Sequence, residues 1–333
     1  MPASLALPHQ DFANALCRHV DVWMRQPLGF TQSNKLQDQA EDAMAEQGMA
    51  KSALGRIGIW AASLRYSPGA PEAAQELEKL GFKSVWMPGG ADDGVLAAAE
   101  KLLEVTASLI VASGILNIWK HEPADVVSWW RGLPAAAQAR FMLGLGVSHS
   151  MLIGEAYQKP LTKMRGYLDG LDQAGMPRGQ MCLAALGPKM LQLAQARTAG
   201  AHPYLVTPRH SAFARKTMGP DALLAPEQGV VLETDPGKAR QLARGVVKFY
   251  AALPNYSNNW RREGYTDTDI ETLSDHLIDG LIAWGDLEAI GARVQEHLQA
   301  GADHVCLQVI GPGGMAAELD YDQAAWRKLA TLL

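Results

Sequence analysis

The feature that most constrains this chain is a phrase it repeats: a short apolar run, a loop with glycine or proline, an amphipathic segment, then glycine and another apolar run. From Gly55 onward eight such runs occur: Ile57–Trp60, Ser84–Met87, Ala107–Ala112, Phe141–Gly146, Met181–Leu186, His202–Val206, Gly229–Glu233 and His304–Ile310. Each phrase reads as a βα unit. Runs such as FMLGLG and HVCLQVI are apolar throughout, as parallel strands covered on both faces require. A length of 333 residues accommodates two domains or one large barrel. Eight units either close into a (β/α)8 barrel or lie open as a doubly wound sheet, and local patterning does not separate the two; the count of eight favours the barrel. No GxGxxG follows the first run, where the chain reads AASLRYSPGA, GLGVSH is too short to supply one, and no GxxxxGK[ST] occurs.

Helix punctuation supports the units. Pro71 opens PEAAQELEKL and Gly81 closes it, with Leu77 and Leu80 expected to face the sheet. Asp286 is placed to cap DLEAIGARVQEHLQA, in which Leu287, Ile290, Val294 and Leu298 keep a spacing of three and four before Gly301. Leu161, Met164, Leu168 and Leu171 form another such stripe, read as core packing. Two regions fall outside the repeat. Residues 1–54 are polar and Gln-rich toward Lys51, with an earlier amphipathic piece around Phe12, Leu16, Val20 and Trp23, and read as an N-terminal helical extension; residues 55–333 read as the barrel. Thr234 to Gly301 is far longer than one helix requires, and excursions of that kind shape a pocket or an interface.

Composition removes several classes. Hydrophobic residues are 48% and charged residues 20%, which excludes collagen-like and wholly disordered chains. A formal net charge of -5 leaves no general basic surface to neutralise a phosphate backbone, so nucleic acid is not expected as a partner. Cys17, Cys182 and Cys306 are far apart and outside any metal spacing, which fits a reducing compartment. Val105 to Trp119 is too interrupted for a membrane span, and Met1 to Pro8 lacks the positive start of a signal peptide, so a cytoplasmic protein is expected.

In a barrel the chemistry lies at the carboxyl ends of the strands. The residues just beyond the runs are therefore the candidates: Ser113, Gly114, Ile115 and Asn117 after the third; Val147, Ser148 and His149 after the fourth; Ala185, Leu186, Gly187 and Lys189 at the end of the fifth; Thr207, Arg209 and His210 after the sixth. Trp60 and Trp119, at strand ends, are placed in the pocket wall. Gly114 lets backbone approach a flat ring, or merely eases strand packing. Gly187 before Pro188 opens a helix whose first N–H groups suit a phosphate, although any barrel helix starts this way. Thr207, Arg209 and His210 suit an anionic tail or simply cap the next helix. His149 titrates near neutrality and is the candidate acid or base, or a ring that only donates or accepts a hydrogen bond. Asp92 and Asp93 read as solvated turn residues, and His121 with Glu122 as rim. His202, His276 and His304 show no ligand spacing, so no metal is expected.

Between residues 55 and 310 the chain resembles the luciferase-like flavin and deazaflavin oxidoreductases, particularly their branch using coenzyme F420. The pieces that carry the resemblance, in order, are KLGFKSVWMPGG, LIVASGILNIWKHEPADVV, FMLGLGVSHSML, CLAALGPKMLQLAQARTAGAHPYLVTPRH, LLAPEQGVVLETDP, LPNYSNNWRREGY and LIAWGDLEAIGARVQEHLQAGADHVCLQVI. The resemblance implies a luciferase-like (β/α)8 barrel, a non-proline cis peptide at Gly114–Ile115 behind the ring, and cofactor phosphate near Ala185 to Lys189. It further implies hydride transfer between the deazaflavin C5 and a small organic substrate, and a homodimer. The alternative cofactor is FMN, with monooxygenase chemistry; a further alternative is a barrel that binds cofactor without turnover. Two departures are visible: the resemblance implies a carboxylate near the position of His149, as in related sugar-oxidising enzymes, and one of those also carries a histidine after the second strand, where this chain has Gly89 and Gly90.

Overall fold

A computed structural model describes residues 51–90, 92–312 and 323–333. The expected N-terminal extension, with Phe12, Leu16, Val20 and Trp23, therefore lies outside the described residues apart from a helical 51–53 and the buried Leu54. The strands are β1 (Ile57–Trp60), β2 (Ser84–Met87), β3 (Ile110–Ser113), β4 (Leu116–Asn117), β5 (Phe141–Gly146), β6 (Met181–Leu183), β7 (Gly200–Ala201), β8 (Leu223–Leu224), β9 (Glu227–Val231), β10 (Ala283–Trp284) and β11 (Val305–Val309). Each pairing between them is parallel, in the order β10-β9-β11-β1-β2-β3-β5-β6-β7-β8, with β4 also on β5.

The two ends of that order meet through the chain itself. β8 pairs with β7 and, across Ala225 and Pro226, β9 pairs with β11. Ala225 N still donates to Ala201 O (2.9 Å), while Pro226, which has no N–H to give, accepts from Cys306 N through its carbonyl (3.0 Å). One bent strand thus hands the ladder from one neighbour to the next, and the cylinder closes. The fold is the expected (β/α)8 barrel, with β10 added outside β9.

Five of the eight predicted runs differ from the strands observed, those at Ala107, Met181, His202, Gly229 and His304, and for two of them the reason is visible. The run at Ala107 enters the sheet only at Ile110, because the backbone N–H groups of Ala107, Ser108 and Leu109 all donate to the Glu78 carboxylate (3.0, 2.6 and 3.0 Å). No residue of the run His202–Val206 is in a strand; β7 is the two residues before it, Gly200–Ala201. Farther on, Leu205 adopts φ +55° and its N–H is taken by Glu227 Oε2 at 2.8 Å, which turns the chain out of the ladder.

Helices cover the outside: α1 (Ala70–Lys79), α2 (Pro160–Ala174), α3 (Pro188–Arg197), α4 (Pro208–Met218), α5 (Pro236–Ala251), α6 (Pro254–Arg262) and α7 (Leu287–Gln299). From α2 to α6 each opens on proline, whose missing N–H is one the first turn leaves unpaired anyway. Asp286 caps α7 as expected, accepting from Ala289 N at 2.9 Å. Leu77, Met164, Leu168, Leu171, Ile290 and Val294 are buried between helices and strands, each contributing roughly 1.5–3 kcal/mol of apolar burial. Leu80, Leu161, Leu287 and Leu298 are only partly buried. Inside the cylinder, Trp60, Trp86, Ile110, Met142, Cys182 and Cys306 fill the layer below the mouth. The long excursion forms α5, α6 and further short helices, with a hydrophobic centre of its own around Val247, Trp260, Leu277 and Leu281.

Candidate active site

The bulge after β3 organises the mouth. Gly114–Ile115 is a cis peptide, as the resemblance implied. Trp60, the last residue of β1, donates from Nε1 to the Gly114 carbonyl at 3.2 Å. A Cβ on Gly114 would stand 2.8 Å from Trp60 Nε1 and 3.1 Å from His202 Nε2, so the missing side chain makes room for two rings inside the barrel. Gly89 is equally constrained: a Cβ there would come within 1.8 Å of the Ile115 carbonyl. Gly89 is therefore required by the bulge lying on it.

Two adjoining cavities open at the carboxyl ends of the strands, of about 350 and 320 Å3, sharing Ile115, Ser148, His149, Ala184, Tyr204 and Tyr256. The first runs over Trp60, Gly89, Gly90, Gly114 and Asn117 and is walled by Tyr66, Leu152, Phe249 and Tyr250. No Asp, Glu, Lys or Arg lines it among the described residues. The second runs over Val147, Ala185, Leu186 and Gly187 to Asn255, Asn258 and Arg262. A larger cavity of about 600 Å3 lies at the opposite end, against the first residues of β3 and β5. Size does not make it the site, because no βα loop reaches that end of the strands.

His149 stands where the two cavities join. Ser148 adopts φ +57°, turning the chain so that His149 begins the short helix Ser150–Ile153. Its imidazole shares a cavity wall with Asn255 and lies 5.8 Å from the Tyr256 ring, centroid to centroid. Burial lowers its pKa below the usual histidine value, and the Asn255 contact only partly opposes that. The ring is neutral at pH 7 and able to accept a proton. Asn117 Oδ1 accepts from Trp119 N at 3.1 Å, which fixes the amide at the cavity wall.

Trp60, Gly114, Ile115, Asn117, Val147, Ser148, His149, Ala185, Leu186 and Gly187 are thus brought together. Other candidates are not on the cavity walls. Ser113 is fully buried, donating to Gly144 O and accepting from Gly144 N, both at 2.9 Å. Thr207 caps α4 and its hydroxyl donates to the buried Glu263 carboxyl. Lys189 and Arg209 are exposed. Trp119 sits beside the mouth, its Nε1 donating to Val147 O at 2.7 Å. Asp92 pairs with Arg65, in keeping with a solvated turn.

Sequence reasoning missed Tyr204, Phe249, Tyr250, Asn255, Tyr256 and Arg262 as wall residues. The last five belong to the long excursion, and the signals pointing there were its length and, for Asn255, Tyr256 and Arg262, the LPNYSNNWRREGY stretch that carries part of the resemblance. Arg262 takes the place expected for Lys189: its Nη2 would lie 3.9 Å from a Cβ on Gly187, at the start of α3. Arg262 donates to Asn259 Oδ1 (2.9 Å), and Asn259 donates to Glu263 Oε1 (2.7 Å).

No protein-family model and no curated protein matches the sequence. Solved structures do match in shape. An F420-dependent secondary alcohol dehydrogenase, solved with an F420–acetone adduct, superposes with TM-score 0.61 at 16% identity, over 82% of this chain and 98% of that one. The coenzyme F420-dependent tetrahydromethanopterin reductase from Methanopyrus kandleri gives 0.63 at 15% identity, over 84% and 98%. The oxygenating constituent of 3,6-diketocamphane monooxygenase from Pseudomonas putida, in complex with FMN, gives 0.58 at 12% identity, over 83% and 96%. The fold of this chain is a (β/α)8 barrel of the shape these structures share.

Proposed function

We propose that the chain is an oxidoreductase that holds coenzyme F420 at the barrel mouth and acts on a small organic substrate beside it. The observation that carries this reading is the pairing of an uncharged, aromatic-walled cavity over Gly114–Ile115 with a second cavity that ends on Arg262 and the start of α3. A flat ring with an anionic tail needs that pair: apolar surface at one end, and a cation with helix N–H groups at the other. Similar shapes include two F420 enzymes and one protein solved with FMN, which fits a flavin or deazaflavin here, and F420 is the reading we carry forward. Bound F420 supplies hydride exchange at its C5.

The protein's own residues do the rest. Gly114 and Ile115 support the ring, with Trp60 holding the Gly114 carbonyl. Asn117 and Ser148 orient its polar edge. Ala185, Leu186 and Gly187 line the path of the tail, and Arg262 neutralises phosphate. Neutral His149 takes or returns the substrate proton at the junction of the cavities. The aromatic wall of Tyr204, Tyr250 and Tyr256 excludes water, which strengthens each polar contact within. Titrating the purified protein with F420 and, separately, with FMN tests the reading: near-stoichiometric quenching of F420 fluorescence is expected. Tight FMN binding with no F420 binding overturns it in favour of the monooxygenase class; F420 binding without hydride exchange across a broad alcohol and enone panel leaves only a cofactor-binding barrel.

A further inference from the structure

Arg262 is not held at the end of the second cavity on its own. Asn259, Arg262 and Glu263 share one face of α6 and its last turn, at the spacing of three and four residues that brings helix side chains together. Asn259 Oδ1 accepts from Arg262 Nη2 at 2.9 Å, and that same nitrogen lies 3.9 Å from where a Cβ on Gly187 would stand, at the start of α3. The Asn259 amide donates from Nδ2 to Glu263 Oε1 at 2.7 Å, and the other carboxyl oxygen accepts from the Thr207 hydroxyl. Thr207 Oγ1 in turn accepts from His210 N at 3.3 Å, so the bonds run from the first turn of α4 through Glu263 to Arg262. Thr207, Asn259 and Glu263 are all buried.

An amide has two ends, and only its oxygen holds a guanidinium. Glu263 decides which end Arg262 meets. Its Oε1 accepts whether the carboxyl is ionised or protonated, so the Asn259 N–H is drawn to Glu263 and the oxygen is left for Arg262. A buried carboxylate beside an anion site is otherwise a cost, since it repels the anion. The charged groups facing it are Arg209 on α4 and Arg262 on α6, which favour the carboxylate, while burial pushes the carboxyl up to about 7. Two further titratable groups of the neighbourhood stay uncharged at neutral pH: burial raises the Tyr265 phenol and pushes His210 down to about 4. We propose that Glu263 is the positioning residue of the anion site: through Asn259 it aims Arg262 at the bound anion, and it takes up a proton from solvent when that anion arrives. This rests on reading Arg262 as the residue that neutralises phosphate. The proton is held on Glu263 Oε2, facing Thr207, so the carboxylate charge is removed as the charge of the anion is added.

The test uses protein labelled with 13C at the glutamate carboxyls, with Glu263→Gln to assign the resonance, titrated with sodium sulfate from about pH 6 to pH 8 at constant ionic strength. Sulfate keeps its charge across that window, so any pH dependence belongs to the protein. The Glu263 resonance is expected to titrate about one pH unit higher with sulfate bound, and sulfate affinity to fall about fivefold from pH 6 to pH 8. Glu263→Gln, whose side-chain carbonyl still accepts from Asn259, is expected to match the wild type at pH 6 and to lose most of that pH dependence. His149 lines the same cavity and gains charge at low pH in both proteins, so the difference between them belongs to Glu263. Glu263→Ala is expected to bind sulfate about tenfold more weakly than either at pH 6, the scale of one buried acceptor lost. An unmoved Glu263 resonance, or the same pH dependence in wild type and Glu263→Gln, overturns the inference even if the alanine variant fails to fold, as does an alanine variant that binds sulfate like the wild type at pH 6. F420 quenching in the same samples separates the two readings. A sulfate response without quenching removes the cofactor and keeps the role of Glu263, whereas quenching without a sulfate response removes that role alone.

Discussion

Trp60 Nε1 donates to the Gly114 carbonyl at 3.2 Å, so the end of β1 holds the bulge after β3 from the far side of β2. The bulge is thereby fixed from within the cylinder and its other face is left for a ligand. Gly114→Ala puts a methyl group 2.8 Å from Trp60 Nε1, in a layer already filled by His202 and Trp86. Overpacking of that kind costs about 1–3 kcal/mol. Urea unfolding of the variant is expected to show that loss, together with at least tenfold weaker F420 quenching. A variant with wild-type stability and affinity shows that the bulge is not held in this way.

His149→Ala tests the proposed proton exchange. The ring lies at the junction of the two cavities, beside Ile115 and Ser148 rather than across the tail path. Its loss is expected to leave F420 affinity nearly intact and to lower turnover of any alcohol found active by ~10²-fold or more, the range for a general acid or base. Unchanged turnover reduces His149 to a wall residue of the cavities.

Arg262 and Lys189 divide the anion site unequally. Arg262 reaches the cavity end beside Gly187, while Lys189 is exposed on α3. Charge-assisted hydrogen bonds contribute about 1.5–3 kcal/mol, so Arg262→Met is expected to weaken F420 binding by about ten- to a hundredfold. The tail-free deazaflavin ring should bind the variant as it binds the wild type, and Lys189→Ala should change neither. Equal losses for ring and full cofactor in Arg262→Met show that the arginine shapes the cavity rather than reading the phosphate.

How much of this could be read from the sequence depends on whether the cause was local. Apolar runs covered on both faces gave the strands, and Pro71, Pro188 and Asp286 marked helix starts, because those signals act within a few residues. The residues at the carboxyl ends of β1, β3, β5 and β6 reached the mouth because the barrel rule needs only strand ends. What failed needed a partner distant in sequence. Glu78 delays β3 from 30 residues away, Glu227 draws Leu205 off the sheet from 22 away, and Glu263 takes the Thr207 hydroxyl from 56 away. Arg262 lay in a stretch that carries the resemblance, but no local signal placed its side chain beside Gly187 at the start of α3.

Buried ionisable groups give the last prediction. Burial pushes the Glu263 carboxyl up to about 7, against its contacts with Thr207 and Arg209. Between pH 4.5 and 7 the folded state therefore holds a proton that the unfolded chain releases, and this group alone makes stability fall as pH rises through that window. Four histidines act the other way: burial pushes His202, His210 and His304 down to about 4 and His297 to about 3, so the unfolded chain binds their protons first. Stability is then lost as pH falls below 6.5. Each pH unit is worth at most about 1.4 kcal/mol per group, so four outweigh one and the protein is expected to be less stable at pH 5 than at pH 7. Glu263→Gln removes the opposing contribution. The drop in urea midpoint from pH 7 to pH 5 should be larger in the variant than in the wild type, and a smaller drop means that Glu263 is ionised throughout and paired with the arginines beside it.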